Sequence, residues 1–106
     1  MKTITITLNG KKYKASLNLA SRIEIKKFFK KNMEEIDFEN DEENIYKSIY
    51  CMLKANNDNF TMSYKIFIRS SPVTIIAVFG ELVSSSAEEL TAEVNEVEGN
   101  ATAGNR

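Results

Sequence analysis

The chain has 106 residues, of which 42% are hydrophobic, and a formal net charge of −1 with no histidine, so it is long enough for one compact domain and too short for two ordinary ones. Without histidine it lacks the commonest general base at neutral pH and the commonest zinc ligand, and a Ser-His or Cys-His nucleophile is excluded. The four glycines, at 10, 80, 99 and 104, form neither a phosphate loop nor a dinucleotide fingerprint, so we expect no enzyme, no cofactor and no metal ion.

The N-terminal segment predicts a β-hairpin over residues 3–17. Residues 3–8 alternate polar and apolar side chains, as a half-buried strand requires. Asn9 and Gly10 both tolerate positive φ and suit a two-residue type I′ turn. Residues 11–17 then read as the returning strand. Because an isolated hairpin is only marginally stable, it must pack on other elements.

Four helices are predicted to follow, near residues 20–32, 41–56, 61–69 and 72–85. Ser21 and Glu24 have the spacing of a capping box, which predicts the start of the first helix. The second helix carries the most regular apolar stripe in the chain. Two members of that stripe, Ile49 and Leu53, are therefore expected to lie in the shared core.

Polar residues and the single proline mark the starts of the last two helices. Thr61 or Ser63 can cap the third helix, and Ser71 with Pro72 suits the N-cap and first position of the fourth. The predicted fold class is α+β, in which an N-terminal hairpin packs on a small bundle of about four helices. We expect residues 1–86 to form this single compact domain.

The fourth helix is the most informative element for function. Its apolar residues cover an arc of about 220° at 100° per residue, whereas a helix on a globular surface needs a stripe of only about 100°. One reading is that this helix lies in the centre of the helical body. The other is that one edge of the arc is exposed and binds a partner. The residues assigned to that edge are Ile75, Phe79, Leu82 and Val83.

Charge is segregated along the chain. Residues 1–33 carry nine lysines and arginines against Glu24 alone, and residues 34–43 hold seven acids and no base. The acidic segment lacks the spacing of a calcium-binding EF-hand loop and is expected to be a solvated loop. The basic segment is either the solvated side of a helix or a surface that binds the phosphates of a nucleic acid. The lysines of that alternative nucleic-acid face are Lys26, Lys27, Lys30 and Lys31.

Cys51 and the two ends of the chain are informative about the cellular compartment of the protein. As a lone cysteine, Cys51 cannot form an internal disulfide, and we expect an inert, partly buried thiol. The sequence has no segment of signal-peptide type and no run of 18 apolar residues, so we expect cytoplasmic residence. Residues 87–106 are acidic and then rich in Gly and Asn, which predicts a polar tail that is partly helical to disordered.

Several segments, covering most of residues 1–98, carry a family resemblance. They are the opening ITITLNGKKY hairpin, the first helix ending in KKNM, the central IYKSIYCMLKANN helix, the DNFT segment that starts the next helix, and the polar C-terminal tail. In this order they resemble the tail assembly chaperones of long-tailed bacteriophages, particularly the short ones from phages and prophages of low-GC Gram-positive bacteria. That family has no invariant catalytic signature.

The resemblance implies a protein that binds the long helical tape measure protein, keeps it soluble during tail tube assembly and is absent from the finished virion. It also implies a longer frameshifted form that recruits tail tube protein, and it is compatible with a homo-oligomer. The competing interpretation is a small phage or prophage regulatory or DNA-binding protein that uses the basic region 11–31.

The composition of the C-terminal residues leads to a first prediction. Truncation after Glu98 should leave the melting temperature nearly unchanged, because the residues removed offer almost no apolar side chain to bury. Circular dichroism melting of the full and truncated chains measures this. A drop of many degrees would show that residues 99–106 pack on the folded body.

Overall fold

A computed structural model describes residues 2–85 of the chain, and these residues form an α+β fold. The elements are β1 (Ile4–Leu8), β2 (Lys11–Ala15), α1 (Leu19–Phe29), a 3₁₀ turn (Met33–Glu35), α2 (Glu43–Asn56), α3 (Tyr64–Ser70) and α4 (Ile75–Ser85). The predicted architecture, a hairpin packed on four helices, is confirmed. The predicted tail, 87–106, lies outside the described residues.

The hairpin has the predicted turn and a clear inner face. β1 and β2 pair antiparallel, with Leu8 opposite Lys11. The φ angles of Asn9 and Gly10 are 52° and 80°, as a type I′ turn requires at both central positions. The side chains of the inner face are buried, while those that alternate with them are exposed. The buried set is Ile6, Leu8, Tyr13 and Ala15.

α2 is the central helix of the domain. Six successive residues, Ser48–Leu53, are buried, and at about 3.6 residues per turn they cover the whole circumference of the helix. α1, α3 and β2 all pack on α2. Ile49 and Leu53 are fully buried, as predicted.

The C-terminus of α2 is tied to the hairpin by a side-chain amide. The Asn57 amide oxygen accepts from the Lys14 backbone N–H at 2.9 Å, and the amide nitrogen donates to the Lys14 carbonyl at 2.8 Å. Both backbone groups of Lys14 therefore face away from β1. Since an open strand edge is a template for unwanted pairing, Asn57 both anchors α2 and closes the outer edge of β2 at this point.

The preceding residue joins α2 to the β2–α1 connection. The Asn56 amide nitrogen lies 2.9 Å from the Ser21 hydroxyl and 3.2 Å from the Ser16 carbonyl, and its amide oxygen accepts from Asn18 at 2.6 Å. The Ser21 hydroxyl in turn donates to the Ser16 carbonyl. These partly buried polar groups satisfy one another, which their burial makes necessary.

The limits of α1 differ from the prediction at both ends. Its N-cap is Asn18, whose side chain accepts from the Ser21 N–H at 2.9 Å. The predicted capping box at Ser21 is therefore wrong, since Ser21 lies in the first turn and is fully buried. At the other end, Lys30 adopts the left-handed conformation with φ at 60°, and its N–H donates to the Lys26 carbonyl. This ends α1 at Phe29, before the predicted position 32.

The predicted start of α4 at Ser71 and Pro72 is also wrong. The Ser71 hydroxyl donates to the Phe67 carbonyl at 2.7 Å, so Ser71 ends α3. Pro72 accepts from the Ile75 N–H in a turn that precedes α4. The start of α3 follows one of the two predicted options, because Ser63 accepts from the backbone N–H of Ile66.

We predict that Asn56→Ala destabilises the domain. The substitution removes the hydrogen bonds that Asn56 makes to Asn18, Ser16 and Ser21. Each partly buried group that is left unsatisfied costs about 1–3 kcal/mol. Urea denaturation gives the free energy of unfolding. The matched control is Asn59→Ala, since Asn59 is exposed and its side chain makes no hydrogen bond within residues 2–85. Equal effects of the two substitutions would contradict the role assigned to Asn56.

Candidate partner-binding surface

The residues predicted to form an exposed edge of α4 are not exposed. Ile75, Phe79 and Leu82 are 0%, 7% and 1% exposed and belong to the core, and Val83 is half-buried against it. That part of the prediction is wrong. On a helical wheel Phe79 lies about 10° from the middle of the apolar arc. The residues near the middle of the arc are therefore buried, and the residues at one flank of it are exposed. The middle of the arc can be found from the sequence alone, and it indicates which side of α4 faces the core.

The exposed flank of α4 defines a surface of its own. Val73 in the preceding turn is 82% exposed, and Ile76 in the first turn of α4 is 38% exposed. With the exposed Ala77, Gly80 and Ser84 they span about 100° of the wheel, which is the width of a helix contact stripe. We call this the α4 outer surface, formed by Val73, Ile76, Ala77, Gly80 and Ser84.

The α4 outer surface has an unusual composition for an exposed helix face. Glu81 is the only charged residue in α4, and it is paired with Lys2 at 3.1 Å. A β-carbon placed on Gly80 would meet no atom within 4 Å, so this side of the helix is open. Because small side chains let helix axes approach closely, this side of α4 leaves room for a second helix.

Two contacts hold α4 in this orientation. At its C-terminal half, Glu81 meets Lys2 just before β1. On its buried side, the ring of Phe79 packs on Phe38 with centroids 4.8 Å apart. Phe38 and the buried Ile36 belong to the segment predicted to be a solvated acidic loop. Its apolar residues therefore pack on the body, and only its carboxylates are solvated.

A hydrogen-bonded turn orders this acidic segment. The Asp37 carboxylate accepts from the backbone N–H groups of Asn40 and Glu39 at 3.0 and 3.1 Å. These bonds, chiefly the one from Asn40, hold the pKa of Asp37 below its usual value. Within residues 2–85, no group of three or more His, Cys, Asp or Glu side chains is placed to hold a metal ion.

A cleft of about 410 Å³ lies between the start of α2 and the end of α3. Its lining residues are Glu42, Glu43, Tyr46, Ile68 and Ser71. The last of these precedes Val73 by two positions in the sequence. The Tyr64 hydroxyl donates to Glu43 at 3.0 Å, and burial together with this bond raises the pKa of Tyr64. The cleft therefore carries two carboxylates, those of Glu42 and Glu43.

The four lysines of the alternative nucleic-acid face are all exposed. Lys26 and Lys27 lie in the last turn of α1, and Lys30 and Lys31 follow it directly. Cations near a helix C-terminus interact favourably with the helix dipole. Their position therefore has a structural explanation that does not require a phosphate ligand.

The chain matches no protein-family model, no curated protein and no solved structure. In the part of the chain that the structure describes, no single helix is long and apolar enough to cross a membrane. Among the described helices, α3 and α4 taken together are long and apolar enough to do so, but the chain bends by 108° between them.

We predict that Cys51 is chemically inert in the folded protein. Its thiol is 1% exposed, and burial together with the nearby Glu24 carboxylate raises the pKa of Cys51 to about 12. The reactive thiolate is therefore scarce at pH 8. Reaction with a disulfide reagent at pH 8 should be very slow in buffer and fast in denaturant. Rapid reaction in buffer would contradict this placement of the thiol.

Proposed function

We propose that the protein is a phage tail assembly chaperone, which binds the tape measure protein through the α4 outer surface and keeps it soluble during tail tube assembly. In this role it acts by protein–protein contacts, without catalysis, in the host cytoplasm, and it leaves before the virion is complete. The observation that carries the proposal is the exposed, uncharged side of α4, since Val73 is 82% and Ile76 is 38% exposed.

The chemistry of this surface suits a helical client. A long helix that is destined for a coiled coil exposes an apolar seam, and a soluble carrier must cover that seam. Val73 and Ile76 offer apolar side chains, while Ala77 and Gly80 leave room for the backbone of the client helix. The resemblance of most of residues 1–98 to tail assembly chaperones supports the same client class.

The charges of the body suit a carrier that must stay soluble. Lysines cover the solvent side of α1, and the exposed carboxylates of residues 34–43 surround the 3₁₀ turn and the start of α2. Both groups lie outside the α4 outer surface, so they can keep a complex in solution while the apolar surface is covered.

The proposal extends to two further associations. When no client is present, a second copy of the chain is expected to cover the same or an adjoining surface, because large exposed apolar patches favour association. A longer form, made by programmed frameshifting, would recruit the tail tube protein through its extension. The resemblance alone supports the longer form.

A small regulatory or DNA-binding protein is the alternative. It is favoured by one observation, which is that Lys26 and Lys27 at the end of α1, and Lys30 and Lys31 after it, are all exposed. Binding through these lysines would weaken steeply as salt rises. The helix dipole already accounts for lysines at this position, so the alternative is second.

The proposed surface leads to a prediction for Ile76→Glu. Ile76 keeps 38% of its surface exposed for a partner to cover, and a glutamate there would lose this apolar contact and place an unpaired charge in the interface, so binding should weaken by about tenfold or more. Capture of a co-expressed tape measure fragment should fall accordingly, while the circular dichroism spectrum stays native. The matched control is Ile23→Glu, the same change at an exposed isoleucine of α1, which should leave capture unchanged.

The outcomes separate the competing ideas. Undiminished capture by Ile76→Glu would place the interface elsewhere. Equal loss in Ile76→Glu and Ile23→Glu would indicate a general effect of charge. Failure of the wild-type chain to capture the fragment, together with salt-dependent binding of duplex DNA that Lys26→Ala and Lys27→Ala weaken, would favour the regulatory alternative.

A further inference from the structure

A second exposed apolar site lies on α1 and shares no residue with the α4 outer surface. Leu19 and Ile23, one helical turn apart, are 72% and 47% exposed. With Met33 of the 3₁₀ turn they line a groove of about 270 Å³. The charged side chains that line the same groove are Arg22, Lys26 and Glu34. We call this the α1 groove.

The α1 groove follows one face of α1. Leu19, Ile23 and Lys26 have the i, i+4, i+7 spacing of a single helix face, and at 1.5 Å per residue they extend over about 10 Å. Apolar side chains occupy the N-terminal part of this face, and a cation occupies the C-terminal part. An occupant should therefore be apolar at one end of its contact and charged at the other.

The surroundings of the groove are basic. Five cations lie in α1 and the two residues that follow it, and they are Arg22, Lys26, Lys27, Lys30 and Lys31. None of them forms a salt bridge with a carboxylate of residues 2–85. The one acid of α1, Glu24, does not line the groove. Carboxylates supplied from outside would complement this charge.

Arg22 is the cation best suited to a specific contact. It is half-buried, and within residues 2–85 its guanidinium makes one hydrogen bond, from Nη1 to the Met33 sulfur at 4.0 Å. Sulfur is a weak acceptor, so this bond leaves the guanidinium free for a stronger one. The planar fork of donors on a guanidinium matches the two oxygens of a carboxylate.

The walls of the groove favour a helix as the occupant. Its lining residues come from α1, the 3₁₀ turn and the residue just before that turn, and no strand of the described chain contributes to them. An extended peptide would therefore find no strand edge to pair with. A helix satisfies its own backbone hydrogen bonds, so it needs only side-chain contacts.

A broad anionic surface fits the groove less well than a single helix. Glu34 is exposed and lines the groove, and it is the first of the seven acids in residues 34–43. A lipid surface or a nucleic acid would bring many negative charges close to this acidic segment, and like charges in contact repel. A helix can instead place carboxylates at Arg22 and Lys26 and uncharged side chains at Glu34.

We propose that the α1 groove binds an acidic amphipathic helix of a partner protein. Apolar side chains of that helix, one turn apart, cover Leu19 and Ile23, and its carboxylates meet Arg22 and Lys26. The carboxylates give the contact its direction along α1, because the cations lie towards one end of the groove. This binding does not involve the α4 outer surface and is independent of the proposed client.

Two synthetic peptides test the proposal on the full-length chain. The first is a helical peptide with leucines at i, i+4 and i+7 flanked by glutamates, and the second has the same composition in an order that breaks this spacing. Titration of the first into isotope-enriched protein should shift the amide signals of Leu19, Ile23 and Asn32, with little change at Asn9. The first peptide should bind about tenfold or more tightly than the second, because only it covers the apolar residues.

Variants of the chain locate the contacts. Ile23→Glu should weaken binding of the first peptide by about tenfold or more, whereas Ile76→Glu, the same change on the α4 outer surface, should leave it unchanged. The pair Arg22→Glu and Lys26→Glu should reverse the preference, so that a peptide with lysines in place of the glutamates binds better. Circular dichroism checks that each variant is folded. Raised salt should weaken binding to the wild-type chain.

Other results would overturn the proposal. Shifts centred on Ile76 and Gly80 would place the peptide on the α4 outer surface instead. Equal affinity for the two peptides would show attraction by charge alone. Shifts at Leu19 and Ile23 that depend on the concentration of the protein itself would assign the groove to a second copy. Absence of shifts at millimolar peptide would exclude this class of ligand. Capture of the tape measure fragment is measured separately, so failure of one proposal does not imply failure of the other.

Discussion

The fold depends on the pairing of two asparagine side chains at the end of α2 with the N-terminal hairpin and the β2–α1 connection. A two-stranded hairpin is marginal alone, and the helices need a fixed direction of approach to cover its inner face. Asn57 supplies that direction by bonding both backbone groups of Lys14. Asn56 then fixes the start of α1 through Asn18 and Ser21. Apolar contacts provide the stabilisation, while these bonds determine which arrangement is stabilised.

α4 packs on the core with one side and leaves another side exposed. The inner stripe of α4, at Ile75, Phe79 and Leu82, belongs to the same core as the buried residues Ser48–Leu53 of α2. The rest of its wide apolar arc is then left outside. Because exposed apolar patches mark interaction sites, this outer side of α4 is the candidate partner-binding surface.

Much of the fold could be predicted from the sequence, because the signals involved are local. Alternation in β1, the positive-φ turn at Asn9 and Gly10, and the stripe through Ile49 and Leu53 each depend on neighbouring residues. The true start of α1 could not be found in this way. Ser21 and Glu24 fit a capping box by spacing, but Asn18 acts as the cap because Asn56, 38 residues away, holds its side chain.

The candidate surface was predictable only in part. The width of the apolar arc of α4 indicated that some of it lies outside, but the choice of the exposed side depended on what packs against the helix. Phe38, which packs on Phe79, belongs to a segment whose carboxylates suggested a fully solvated loop. Likewise, the end of α1 depends on a left-handed Lys30, a conformation that no residue preference indicates for lysine.

The pairing of Asn57 with Lys14 also constrains the protein during its synthesis. The hairpin is synthesised before α2, and the Asn57 amide that closes β2 follows Lys14 by 43 residues. At ordinary rates of translation this interval lasts roughly two to nine seconds. Throughout it, the strand of alternating threonine and isoleucine is exposed on a nascent chain without its helical cover. The speed of translation through α2 therefore sets how long the Lys14 backbone groups at the edge of β2 stay without their Asn57 partner.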